Sequence, residues 1–207
     1  MNSYQEKYKR LSHYLRLGKL FEDIVEEALV EIMKNLGLSS RFINRVIHRN
    51  NIIGKGCDFI LDLSKRIELE CKNWSGSYYL TLSMYNREVR SRFSRDAIKI
   101  VIASKLKYSE EVRNRFRRDK IQLLELGYQV VAVLDDEYVV RDKKYKLKKM
   151  SVVVEDVKRL LRRCLQLMLL LYQLVQQIII SKLKDQSFSL QLSLPIVFND
   201  YIDSDFG

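Results

Sequence analysis

The sequence predicts an α/β fold with a central mixed sheet between helical layers, and three observations carry that expectation. Apolar residues recur at helical spacing over residues 19–35 and again over 155–184. The run 98–104 is rich in β-branched residues and 128–134 reads likewise as a buried strand, as in strands covered on both faces. Between them the elements alternate helix, strands, helix, strand, helix, strand, an order that places helices over both faces of a sheet. With 207 residues, 47% hydrophobic and 30% charged, the chain can bury a core and is too apolar for wholesale disorder.

Each element has its own signal. Tyr4, Tyr8, Leu11 and Leu15 share one side of an expected amphipathic helix over residues 1–17, punctuated by Gly18. The next helix carries Phe21, Val25, Ala28, Leu29, Ile32 and Leu36 on one side, with Gly37 just past its end. Short strand-like pieces follow at 42–48, 51–53, 58–63 and 67–72, separated by the turn residues Gly54-Lys55-Gly56 and Ser64-Lys65-Arg66. Residues 78–93 read as an arginine-rich helix, 98–104 as a strand, 110–126 as a charged helix closed by Gly127, and 128–134 as a strand. A basic hairpin or loop over 141–149 then leads into a long helix at about 155–184. The predicted organisation is an α/β core at 18–150 and a C-terminal helix and tail at 151–207.

That final helix is apolar over a wide arc. Leu160, Cys164, Leu167, Leu171, Leu174 and Ile178 form one stripe, and Leu161, Leu165, Met168, Tyr172, Val175 and Ile179 form the next. Such a helix is either central to its own core or used for association, and its late position favours a homodimer. The tail from Phe188 to Leu194 alternates as a strand does, and Pro195 stops it.

Composition narrows the function. Lys and Arg total 37 against 26 Asp and Glu, a net charge of +11, which favours an anionic partner, nucleic acid before membrane. Cys57, Cys71 and Cys164 are too few and too scattered for a disulfide scaffold or an ordinary zinc site, so a reducing, intracellular setting is expected. The first residues lack the apolar run of a signal peptide, and the longest unbroken apolar run, 167–172, is too short to span a bilayer. No nucleotide triphosphate is expected, because Gly54-Lys55-Gly56 lacks the spacing of a phosphate-binding Walker loop. Scarce Ala beside frequent Ile, Lys and Tyr suits an AT-rich viral or archaeal genome; a viral source would place the protein in host cytoplasm.

The chemistry concentrates at Gly56-Cys57-Asp58 and Glu70-Cys71-Lys72. In an extended strand Glu68, Glu70 and Lys72 share one face, and Ile67, Leu69 and Cys71 the other; Asp58, Ile60 and Asp62 share a face of the preceding strand. A three-residue turn at 64–66 places Asp58 opposite Lys72 with Glu70 diagonal to it, whereas a two-residue turn separates them. Two adjacent carboxylates can hold Mg²⁺, and a nearby lysine can orient a water and stabilise charge on a phosphate. A solvated hairpin with a cross-strand Glu–Lys pair explains the same residues without chemistry. On the helix before it, Asp23, Glu27 and Glu31 project outside the apolar arc, whereas Glu22 falls inside. A buried Glu22 needs a partner, either a shared metal or a neighbouring Lys or Arg.

Gly18-Lys19-Leu20-Phe21-Glu22 on a helix, Gly56-Cys57-Asp58 on a strand and Glu70-Cys71-Lys72 on the next resemble the PD-(D/E)XK nuclease superfamily. The layout over residues 18–134 is most like archaeal Holliday-junction resolvases and Mrr-type restriction endonucleases. The resemblance implies a restriction-endonuclease-like core and Mg²⁺-dependent hydrolysis of DNA, with Mn²⁺ as a substitute. It makes Asp58 and Glu70 metal ligands with the Cys71 carbonyl as a third, Lys72 catalytic, and Glu22 a further catalytic carboxylate. Cys57 stands where the motif's name has Pro.

Basic residues follow the motif. Between Arg87 and Lys120 there are twelve Lys or Arg and five Asp or Glu. Lys55, Arg87, Arg90, Arg92 and Arg95 are candidates for holding the DNA backbone, with a second cluster at Lys143, Lys144, Lys146, Lys148 and Lys149. His13 and His48 have no partner at ligand spacing, and Trp74 suits the core better than a base-stacking role. Two other functions fit these patterns: a non-catalytic nucleic-acid-binding protein on the same fold, and an assembly factor acting through the final helix.

Overall fold

A computed structural model describes residues 13–50, 56–63, 65–74, 78–134, 137–141, 147–149, 151–162 and 165. The chain divides into two units, 1–169 and 170–207, and every described residue belongs to the first. The expectations for residues 1–12, for 51–55 and for everything after 165, including the proposed dimer stripe and tail, lie outside the described residues.

Helix α1, His13–Asn35, runs through Gly18 without the expected break. Leu17, Leu20, Phe21 and Ile24 are buried around it, and that burial outweighs the roughly 1 kcal/mol that a helical glycine costs. The helix ends where Gly37 adopts φ +76. Leu38 N–H donates to Met33 O at 3.1 Å and Gly37 N–H to Lys34 O at 2.9 Å, so two otherwise orphaned carbonyls are satisfied.

Three sequence expectations are corrected. Residues 42–48 are largely helical: α2 spans Ser40–Val46, with Ser39 accepting from Phe42 N–H, before β1, Ile47–Arg49. The buried Ile43 and Val46 are three residues apart, a helical interval. Residues 78–93 hold a two-residue strand, β4 (Tyr79–Leu80), then α3 (Leu82–Glu88) capped by Thr81, then a 3₁₀ turn at Arg90–Arg92. Residues 110–126 are α4, Glu110–Arg118, followed by a strand, because Lys120 turns the chain with φ 53.

The main sheet has the order β1–β2–β3–β5–β7, with β2 Phe59–Asp62, β3 Arg66–Lys72, β5 Ile98–Ala103 and β7 Ile121–Glu125. β1, β2 and β3 pair antiparallel, while β3, β5 and β7 pair parallel. The sheet is therefore mixed, as expected. β4 pairs with β6 (Lys107–Tyr108) in a small parallel ladder. β8, Gln129–Leu134, is a strand as expected but ladders with β9 (Glu137–Arg141), which pairs in turn with β10 (Leu147–Lys149). The Asn73 side chain donates to Leu17 O at 3.2 Å and to Val130 O at 2.7 Å, and accepts from Val130 N–H. It thus joins α1, the end of β3 and β8.

Both faces of the sheet are covered. On β5, Ile100 and Ile102 belong to a cluster with Phe21, Leu29, Leu61 and Leu69, whereas Val101 and Ala103 belong to one with Tyr85, Val89, Val112 and Phe116. Residues 151–162 form helix α5, which starts earlier than the expected 155, and its Val153, Val157 and Leu161 join the α1 side of the core. Lys158 Nζ lies 2.6 Å from both Glu31 and Glu155, tying α5 to α1. Among the described residues no helix is long and apolar enough to cross a membrane.

Candidate active site

β2 and β3 meet two residues out of the expected register. Phe59 faces Leu69, Leu61 faces Ile67, and Asp62 faces Arg66, so the connecting loop is 63–65 and not 64–66. One step beyond the ladder, Asp58 falls opposite Glu70, with Lys72 diagonal. The displacement is even, so every side chain keeps its expected face. Phe59, Leu61, Ile67 and Leu69 enter the α1 side of the core, leaving Glu68, Glu70 and Lys72 on the other face.

The three motif side chains are brought together. Lys72 Nζ lies 2.5 Å from Glu70 Oε1, and Cys71 N–H donates to Asp58 Oδ2 at 2.6 Å. Glu70 is 3% exposed, and its Oε2 is enclosed without a hydrogen-bond partner. Burial first, then the Asp58 charge, push the Glu70 carboxyl up to about 7 against the pull of Lys72 and Arg92. Burial and Glu22 also raise Asp58, opposed by Cys71 N–H, Lys72 and Lys19. The Cys57 thiol is pushed up to about 12 by burial, and burial raises Cys71 as well, so neither is a ready thiolate.

Glu22 is buried, as its place in the apolar arc predicts, and it has cationic partners. Lys19 Nζ lies 2.6 Å and Arg49 Nη2 3.1 Å from its Oε2. Asp23, expected outside the arc, is also buried, and Arg49 Nη1 reaches its Oδ1 at 2.5 Å and Glu26 Oε2 at 2.7 Å. A guanidinium on β1 thus lets α1 turn a second carboxylate inward. Burial by itself lowers the Arg49 pKa, but Asp23 and Glu22 outweigh it and hold the group charged. Lys19 was findable from its three-residue spacing to Glu22. Arg49 was not, because only the fold brings β1 to α1.

The basic candidates divide. Arg92 lies against the site, its Nε 3.8 Å from Glu70 Oε1. Arg87 pairs with Glu88 at 2.8 Å and Arg90 with Asp119 at 3.6 Å, both more than half exposed. Arg95 is exposed, and Lys55 lies outside the described residues. In the second cluster, Lys148 pairs with Asp156 at 2.8 Å and covers the Tyr128 ring. Trp74 is buried, stacked on Tyr78 with ring centroids 5.2 Å apart. His48 is an exposed β1 residue 3.3 Å from Asp62.

No family model, curated protein or solved structure matches this chain. The site therefore rests on its own geometry.

Among the described residues no group of three or more His, Cys, Asp and Glu side chains is placed to hold a metal. Two carboxylates are placed beside each other, and the enclosed Oε2 of Glu70 is an acceptor that the chain leaves unsatisfied. Mg²⁺ takes one or two carboxylates and keeps several waters, so this donor pair fits a hard divalent cation and not a softer metal.

Proposed function

We propose that this protein is a metal-dependent deoxyribonuclease built on a restriction-endonuclease-like PD-(D/E)XK core. The observation that carries the reading is the meeting of Asp58, Glu70 and Lys72, with Glu70 Oε2 buried and unpartnered. Asp58 and Glu70 would hold Mg²⁺ or Mn²⁺, with the Cys71 carbonyl as third ligand by resemblance. The bound cation supplies a more acidic water and positive charge at the phosphate.

The chain's own residues do the rest. Lys72, on the face shared with Glu70, orients the attacking water and stabilises charge developing on the phosphate oxygens. Glu22, held by Lys19 and Arg49, adds a carboxylate whose charge reaches Asp58. Arg87, Arg90, Arg92 and Arg95 hold the backbone of the DNA, and such backbone contacts do not themselves encode sequence preference. Two copies joined through the C-terminal helix would suit a two-fold substrate such as a four-way junction, and an intracellular setting fits such a substrate.

One observation favours a second reading, a non-catalytic nucleic-acid-binding protein on the same fold. Lys72 already neutralises Glu70, and such a pair needs no metal. The deciding experiment compares Mg²⁺-dependent cleavage of single-stranded, duplex and four-way-junction DNA by wild type, Asp58→Ala and Lys72→Ala, with EDTA controls and parallel binding. Cleavage lost in both variants with binding retained supports the nuclease. Binding without metal-dependent cleavage of any substrate selects the second reading.

A further inference from the structure

β3 presents two buried carboxylates on one face, and one short segment engages both. Glu68 is 2% exposed and accepts three hydrogen bonds: Ser94 N–H at 2.7 Å, Ser94 Oγ–H at 2.8 Å and Arg66 Nε–H at 2.8 Å. Two residues along β3, Glu70 is approached by Arg92 Nε at 3.8 Å. Arg92 and Ser94 are likewise two residues apart, so the two contacts have the same spacing on each segment, in opposite chain directions. The anchor is the Glu68–Ser94 pair, because the Arg92 contact is too long for a hydrogen bond.

Arg92 Nε is buried without a hydrogen-bond partner. This Nε faces Glu70 while the Arg92 side chain as a whole is 21% exposed, so the outer guanidinium N–H groups are open to an anionic oxygen. Lys72 and Glu70, the reacting end of the proposed site, are its neighbours. We propose that Glu68 is a positioning residue, acting through Ser94 to hold Arg92 beside Glu70, where the exposed end of the Arg92 guanidinium binds a non-bridging oxygen of the DNA backbone. This rests on the reading of the site as one that takes a phosphodiester, but it does not require cleavage. Arg92 thereby differs from Arg87 and Arg90, whose guanidinium groups are largely exposed and are answered by Glu88 and Asp119.

The test is DNA binding in EDTA, where no cleavage interferes. The full-length protein is titrated with a short fluorescent duplex over a salt series, using wild type, Glu68→Gln, Ser94→Ala, Arg92→Ala and the Ser94→Ala/Arg92→Ala double variant. Arg92→Ala is expected to lower affinity about fivefold to tenfold and to reduce the slope of log affinity against log salt by about 1, one phosphate contact. Ser94→Ala and Glu68→Gln change the slope in the same direction, and the double variant binds no worse than Arg92→Ala alone. Ser94→Ala keeps the backbone bond to Glu68, so it reads the anchor even if Glu68→Gln folds poorly. An unchanged slope in Arg92→Ala, an unchanged slope in both Ser94→Ala and Glu68→Gln, or additive losses in the double variant overturns the proposal. Binding with these effects but no Mg²⁺-dependent cleavage overturns the nuclease reading alone. Wild type that does not bind DNA overturns both.

Discussion

Glu70 sits opposite Asp58 across two antiparallel strands, with Lys72 on its Oε1 and nothing on its enclosed Oε2. Glu70 is the buried member of this group, and its carboxyl is held high by burial and by the Asp58 charge despite Lys72 and the more distant Arg92. Glu70→Gln removes one of the charges and keeps the volume and an acceptor for Lys72. It is expected to raise thermal stability at neutral pH in the absence of metal, by about 1 to 2 kcal/mol, and, on the proposed nuclease reading, to abolish cleavage. A lower melting temperature for the variant than for wild type in EDTA would show that the site is not strained in this way.

Arg49 joins α1 to β1 through Glu22, Asp23 and Glu26. Removing it takes the shared guanidinium away from three carboxylates, two of them buried, and Arg49→Met is expected to cost about 3 kcal/mol. Arg49→Lys recovers only part of that, since an ammonium cannot span the same carboxylates in a planar fork. Urea unfolding midpoints of the three proteins check the order wild type, Lys, Met.

Tyr85 is fully buried, and its hydroxyl donates to Asp119 Oδ2 at 2.9 Å. Burial and that hydrogen bond hold the phenol above its ordinary value of about 10. The unfolded chain therefore releases this proton at lower pH than the folded one. Its contribution is fully present below pH about 10 and is lost as pH rises through the folded value. Denaturant midpoints at about pH 8 and pH 10.5 should fall less steeply for Tyr85→Phe than for wild type; equal falls would remove Tyr85 as a source of alkaline sensitivity.

Two backbone positions predict opposite signs. At Gly37, φ +76 and open space around a would-be Cβ leave backbone strain as the cost of Gly37→Ala, about 1 kcal/mol. Lys120 carries φ 53 with a side chain already in place, so Lys120→Gly is expected to be neutral or stabilising by up to about 1 kcal/mol. Thermal melts of both variants test the pair.

The elements most legible in the sequence were those whose signal is local. β3 and β5 show in their alternation and β-branched runs, and the Gly37 stop in a single residue. The strand at Ile121–Glu125 was hidden because the turn before it uses Lys120, a residue with no turn signature. The site's faces survived a wrong register because Asp58 and Glu70 depend on parity, and an offset of two preserves parity. Neither Arg49 nor the Glu68–Ser94 pair could be read beforehand: both join segments about 26 residues apart, and only packing sets such contacts.

Asn73 has a kinetic consequence. Its one side chain saturates backbone groups of Leu17 and Val130, segments separated from it by 56 and 57 residues. Closing chain loops of that size loses entropy before any contact repays it, and the parallel pairing of β3, β5 and β7 requires long crossovers as well. The residue next to Lys72 is therefore expected to reach its native partners late in folding, so Asn73→Ala should mainly speed unfolding and leave the refolding rate nearly unchanged. The proposed site would then be assembled only in the last folding step.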